Sequence, residues 1–235
     1  MQAARLRVEA LLRERQLDRT VTDALAAPEP QRTASTGVPW LDVHLGGGWP
    51  CGETSELAGP ASSGRTGLLL ASLAAATARG DLAALVDAAD RFDTASAVAA
   101  GVALDRLLWA RGDPAAPVPQ LIERAVKAFG LVLEAGGFGL VALDVGDLAS
   151  ADLARLPFTT WRRLQRFVEG RETVALVLTP VPMARSARGV TLGLQASPAT
   201  AVWDGRSRRA RRLTGLALSP VVHAARRLGS VPVQR

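Results

Sequence analysis

With 235 residues, 48% of them hydrophobic and 21% charged, the chain is long enough to bury one sizeable core and has the composition of a folded protein. No apolar run reaches the roughly 18 to 20 residues needed to cross a bilayer, and the single cysteine, Cys51, excludes a disulfide framework and a cysteine-based zinc site. A net charge of +6 favours polyanions, yet only Lys127 of the 28 basic residues is lysine, a skew better read as GC-rich codon usage than as selection for phosphate contacts.

In chain order, residues 1–26 read as a helix with Val8, Leu11 and Leu12 on one stripe among Arg and Glu. The charged start is unlike a secretory signal, so a cytoplasmic location is expected. A breaker-rich linker follows from Ala27 to Ser35. The expected division is an arm at 1–34, a core at 35–200 and a basic extension at 201–235. Strand and helix then alternate. Thr54–Ala58 reads as a strand, Arg65–Arg79 as a helix, Leu82–Asp87 as a strand and Thr94–Ala100 as a short helix. Leu107–Ala110 reads as a strand and Val118–Ala135 as an amphipathic helix. Phe138–Asp144 and Thr173–Thr179 read as buried strands separated by a helix at Phe158–Glu169. This alternation predicts an α/β fold: a mostly parallel sheet with helices on both faces. Ala201–Asp204 and Leu213–Leu218 are expected to finish that sheet.

The sharpest motif is Gly59-Pro-Ala-Ser-Ser-Gly64-Arg65-Thr66, which fits G-x-x-x-x-G-K-[ST] except that arginine replaces lysine. Glycines let a backbone fold around phosphate, amides at a helix start point inward, and a Thr hydroxyl can hold Mg²⁺. The candidate nucleotide-binding residues are Gly59, Ser62, Ser63, Gly64, Arg65 and Thr66. Asp144 joins them, a strand-ending acid where a metal-associated carboxylate belongs. A plain Gly/Ser turn between strand and helix is the competing reading.

The loop has company. Ser35-Thr-Gly-Val-Pro-Trp-Leu-Asp42, Leu45-Gly-Gly-Gly-Trp-Pro-Cys-Gly-Glu53 and Leu57-Ala-Gly-Pro-Ala-Ser-Ser-Gly64 occur in that order. Together they resemble the start of the RecA recombinase core, and the likeness continues through Ala84–Ala89 and Leu140–Asp144, covering roughly residues 1–180. It implies a RecA-like P-loop fold with a helical arm that packs on a neighbouring subunit. It also exposes departures. The catalytic glutamate expected two residues after a strand-ending aspartate is missing, because Asp87 is followed by Ala88 and Ala89, and Asp90 should point elsewhere. Arg65 keeps the positive charge but is longer and forked. Losing base positioning removes about 10² to 10⁴ in rate, so no catalytic residue is assigned. ATP and Mg²⁺ are expected to bind weakly if at all, and no cofactor is required. The stretch from Pro180 to Leu192 falls where recombinases contact DNA, and its Pro-Val-Pro lacks their nucleotide-sensing glutamine. The large C-terminal domain of RecA is expected to be absent.

Within this superfamily the chain looks like the ImuA family, short RecA-like proteins that accompany a Y-family-polymerase-like partner (ImuB-type) in bacterial mutagenesis. That resemblance implies a role in damage-induced translesion synthesis, with RecA and the polymerase-like protein as partners, in the cytoplasm at the nucleoid, and no membrane association. Two alternatives stay open: an active DNA-dependent ATPase of the RecA/RadA kind, and a SulA-like division inhibitor. For DNA or partner contact the candidates are Arg185, Arg188, Arg206, Arg208, Arg209, Arg211 and Arg212. Their clustered like charge favours binding, although a solvated hairpin is the bland alternative. With no aromatics interleaved, base stacking is not indicated. Trp40 and Trp49 are expected to pack where the chain enters the sheet, and Cys51 to be a small buried residue. His44 and His223 are too far apart in sequence to suggest a metal site.

Overall fold

In the computed structural model, residues 32–184, 188–195, 201–205, 212–216 and 221–223 are described. The arm with Val8, Leu11 and Leu12, and the candidates Arg185, Arg206, Arg208, Arg209 and Arg211, lie outside them. Arg212 opens a strand, of whose side chains nothing is described.

The chain enters through strand β1 (Thr33–Ala34), helix α1 (Pro39–His44) and strand β2 (Trp49–Pro50), with β1 and β2 paired antiparallel. The Ser-Thr-Gly…Asp motif is a hydrogen-bonded knot. The Asp42 carboxylate accepts from the Ser35 hydroxyl at 2.6 Å and from the Thr36 amide and hydroxyl at 2.7 Å each. Trp49 is buried, as its sequence position suggests, and donates its indole N–H to Ser72 Oγ at 2.9 Å. Trp40 departs from that expectation. It is 41% exposed, edge-on to His44, because the short α1 turns this side chain away from the sheet.

The main body alternates β3 (Thr54–Ala58), α2 (Arg65–Ala78), β4 (Ala83–Asp87), α3 (Thr94–Ala99), β5 (Leu107–Arg111) and α4 (Val118–Ala135). It continues through β6 (Leu140–Asp144), α5 (Ser150–Leu153), α6 (Phe158–Val168), β7 (Val174–Thr179) and β8 (Thr191–Gly193). The predicted elements between residues 54 and 179 therefore all occur, with ends moved by a residue or two. The seven-stranded sheet runs β11-β8-β3-β7-β6-β4-β5, and all its pairings are parallel except that of β11 (Val221–His223) with β8.

Continuous apolar strands make sense because both faces are covered. Leu85, Leu140, Ala142, Leu176 and Leu178 face a core shared with Leu68, Leu69 and Leu73 of α2. The alternate residues Ala84, Val86, Val141, Leu143 and Val177 meet Phe129 of α4 and Trp161 and Leu164 of α6 on the other side. Among the described residues no helix is long and apolar enough to cross a membrane.

The tail corrects one expectation. Strands β9 (Ala201–Asp204) and β10 (Arg212–Leu216) do not finish the sheet; they pair with each other in a separate antiparallel ladder. The open edge of β3 is taken instead by β8, whose buried Leu192 adds to the core. That strand is anchored at both ends, where Glu56 N donates to Val190 O at 2.7 Å and Leu194 N donates to Ala58 O at 2.7 Å.

Candidate phosphate-loop site

In a parallel sheet, ligands gather beyond the carboxyl ends of the strands. Here the register brings Ala58 level with Thr179, Asp144 with Leu178, and Asp87 with Asp144. The turn after β3 therefore lies on the same edge as the acids ending β4 and β6.

That turn has the form of a phosphate cradle. Gly59 donates its amide to Thr179 O at 3.0 Å, Ser62 sits at φ 61° and Gly64, at φ 92°, caps α2 with no side-chain hydrogen bond. This left-handed geometry suits glycine and needs support at serine. The first amides of α2 are thus left for an anion. Ser63 is buried, and its hydroxyl has no hydrogen-bond partner among the described residues. Thr66 is exposed in the first helical turn. So far the loop fits a phosphate.

Arg65 does not behave as a waiting lysine. Its side chain is 6% exposed, and its guanidinium donates to the carbonyl of Gly59 and to the carboxylate of Asp147. A Cβ at Gly146 would lie only 2.5 Å from Arg65 Nε, so a larger residue there would push the guanidinium out of this position. The structure places Asp144 within electrostatic reach of Arg65 in the loop, and adds Gly146 and Asp147, which sequence reasoning did not name. The available signal was electrostatic: a forked cation in a buried position needs an acid within reach, and Asp147 lies three residues after Asp144.

Asp144 donates nothing and accepts from the Gly146 amide at 2.9 Å. Burial pushes its carboxyl up to about 6, against the pull of that hydrogen bond and of Arg65, while Asp87 and Asp147 add to the rise. Between pH 4 and 6 the unfolded chain then binds fewer protons than the folded one, so Asp144 costs stability as pH rises through that window. Asp144→Asn is expected to stabilise the protein by roughly 1–2 kcal/mol at pH 7.5 and by almost nothing at pH 4. Urea unfolding at both pH values checks this, and an equal effect at the two would contradict it.

On β4, Asp87 accepts from Phe92 N at 2.8 Å, and Ala88 and Ala89 follow it. Asp90, at φ 54°, lies past the end of β4, so the strand geometry behind the expectation that it points elsewhere does not reach it. It makes a two-pronged bond to Arg111 at 2.8 Å per prong, and the Arg111 guanidinium lies 4.7 Å over the Trp109 ring. Arg111 holds the Asp90 carboxyl below its ordinary value.

Glu56, another residue sequence reasoning passed over, is 1% exposed in the middle of β3. Its carboxylate accepts from the Thr179 hydroxyl at 2.7 Å, Met183 N at 2.8 Å, Ala184 N at 3.2 Å and the Thr191 hydroxyl at 3.3 Å. Burial raises its carboxyl, and these four bonds oppose the rise. It ties the connection between β7 and β8 to the strand that carries the loop. Of the tail and loop candidates, Arg188 is exposed, with Nε 3.8 Å from the Glu53 carboxylate. Cys51 is half-buried against the core, and burial raises its thiol.

A strand, a glycine-bounded turn and a helix at the carboxyl edge of a parallel sheet define the class: a P-loop α/β protein. Residues 14–184 match the RecA N-terminal domain, and the chain belongs to the RecA family. It is 35% identical over 139 residues to Protein RecA of Synechococcus sp. (strain CC9605), covering 56% of this chain and 37% of that protein. It is 30% identical over 182 residues to Protein RecA of Streptococcus pyogenes serotype M49 (strain NZ131), covering 71% of this chain and 46% of that one. The chain thus spans less than half the length of these relatives. The crystal structure of the RadB recombinase shares the fold, with a TM-score of 0.53, 19% identity, and coverage of 71% of this chain and 84% of that chain.

Proposed function

We propose that this protein is a RecA-like accessory factor of DNA repair and recombination that acts in damage-induced translesion synthesis without turning over ATP. The observation that carries the reading is Arg65. The residue that would reach a nucleotide's β- and γ-phosphates is instead bonded inward to Gly59 and Asp147. Ala88 and Ala89 stand where a water-orienting carboxylate is needed, and Asp90, the nearest substitute, is held by Arg111. The cradle itself suits phosphate, so weak nucleotide binding through the backbone, Thr66 and Asp144 is compatible with the reading. What remains for such a protein is binding: to RecA, to a Y-family-polymerase-like partner, and to DNA through its arginines, in the cytoplasm at the nucleoid.

The competing reading is a working DNA-dependent ATPase of the RecA/RadA kind, favoured by the intact loop backbone. The test is turnover on the whole chain. Phosphate release no faster than the protein-free control, with single-stranded DNA present, is the expected result. Release stimulated by DNA and lost in Asp144→Ala would establish the ATPase reading in its place.

A further inference from the structure

On the face of the sheet away from the phosphate loop's helix, α4, α5 and α6 border an open groove of about 470 Å³. Its lining includes Pro119, Ile122, Val126 and Leu156, an apolar surface between neighbouring helices. Ile122 and Val126, one turn apart on α4 and nearly buried, form the floor, while Pro119 and Leu156 are more open to solvent.

The rim is charged and uneven. Lys127 on α4 and Arg163 on α6 both line the cavity, both are exposed, and neither makes an ion pair among the described residues. Arg155 stands 3.8 Å from Asp152 on the same wall, and Glu123 lies one turn before Lys127. Exposed Arg166, one turn after Arg163, adds a further cation. The lining carries three bases against two acids, and Lys127 and Arg163, on opposite walls of an apolar floor and outside any ion pair among the described residues, call for an occupant with carboxylates flanking apolar side chains.

We infer that this groove is a docking site for an acidic amphipathic segment of a partner protein, which seats two or three apolar side chains between α4 and α6 and sets carboxylates against Lys127 and Arg163. Helix-in-groove recognition uses this combination: apolar anchors at i, i+3/i+4 and i+7, with charge fixing the register. The volume matches a pocket that takes a few large side chains. Nucleic acid suits it less. A phosphate backbone gains nothing from an aliphatic floor, and no aromatic ring lines the cavity for bases to stack on. The inference stands apart from the hydrolysis reading, because the groove touches no phosphate-loop residue.

The test is fluorescence anisotropy with the full chain and a labelled helical peptide of about five turns, Leu or Phe on one stripe and Glu beside it. The Glu→Lys version of that peptide and an oligo-dT of similar length serve as the other probes. The acidic peptide is expected to bind, to weaken with salt, and to lose about tenfold or more in affinity to Lys127→Glu with Arg163→Glu, while the Lys version gains on that variant. Both substitutions are at exposed positions, and circular dichroism confirms that the variant is folded. Leu156→Glu, at a partly exposed lining position, is expected to weaken binding of both peptides about tenfold or more. The inference is overturned if the acidic peptide does not bind, if the charge reversals leave its affinity unchanged, or if oligo-dT displaces it and shows the same dependence on Lys127 and Arg163.

Discussion

Replacing Arg65 with alanine is expected to lower the unfolding free energy by about 3 kcal/mol, because a buried cation with two charge-assisted hydrogen bonds is lost. The Gly59 carbonyl and Asp147 lose their donor, and Asp144 loses the nearby charge that restrains its pKa. Relief from desolvating the guanidinium offsets only part of this. Arg65→Lys keeps the charge but not the fork, and should cost about 1 kcal/mol. Urea unfolding at pH 7.5 gives both numbers. An alanine variant as stable as the parent would mean that the arginine is not part of the loop's structure. The contrast bears on function, since an arginine that supports the fold cannot also be released to grip phosphate without cost.

The second large effect is at Glu56. Glu56→Ala leaves two backbone amides and two hydroxyls without their acceptor in a buried strand, and a loss of about 3–4 kcal/mol is expected. Glu56→Gln should cost less, because Oε1 still accepts from Thr179 and Met183, while its amide now faces the Ala184 N–H. Thermal unfolding of the two variants ranks them. Faster amide exchange confined to residues 180–191 would accompany the alanine variant if Glu56 is the tether. Equal stability of both variants and the parent would show that β8 is held by its ladder alone.

The core of this fold was legible because its strands are buried on both faces and its helices are amphipathic or alanine-rich. Leu82–Asp87 and Phe138–Asp144 read as apolar runs ending in acid, and the structure puts Asp87 and Asp144 side by side. Less legible were elements whose pattern is set by partners distant in sequence. The stretch Val190–Leu194 looks like loop, and becomes a strand only because β3 offers an open edge and Glu56 holds the preceding residues. The strands at 201–204 and 212–216 have sheet-like composition, but choose each other. The site divides in the same way. The loop and Asp144 were readable from spacing, whereas Asp147 and Gly146 follow from how far a guanidinium reaches, which spacing does not encode.

That reach also separates the two halves of the functional reading. Phosphate affinity in such a loop comes from backbone amides and from a cation free to turn toward the ligand. Here the amides are in place while the cation is bonded to the protein itself. A double change, Arg65→Lys with Asp147→Ala, restores a lysine and removes the acid that competes for it. The decisive measurement is therefore binding of a slowly hydrolysed ATP analogue with Mg²⁺, alongside phosphate release with single-stranded DNA, on the parent chain and on that double variant. No release above background is expected from either protein, and analogue binding should be at least about tenfold tighter in the double variant than in the parent. DNA-stimulated release by the parent, or tight binding that the double change leaves as it was, would contradict that expectation.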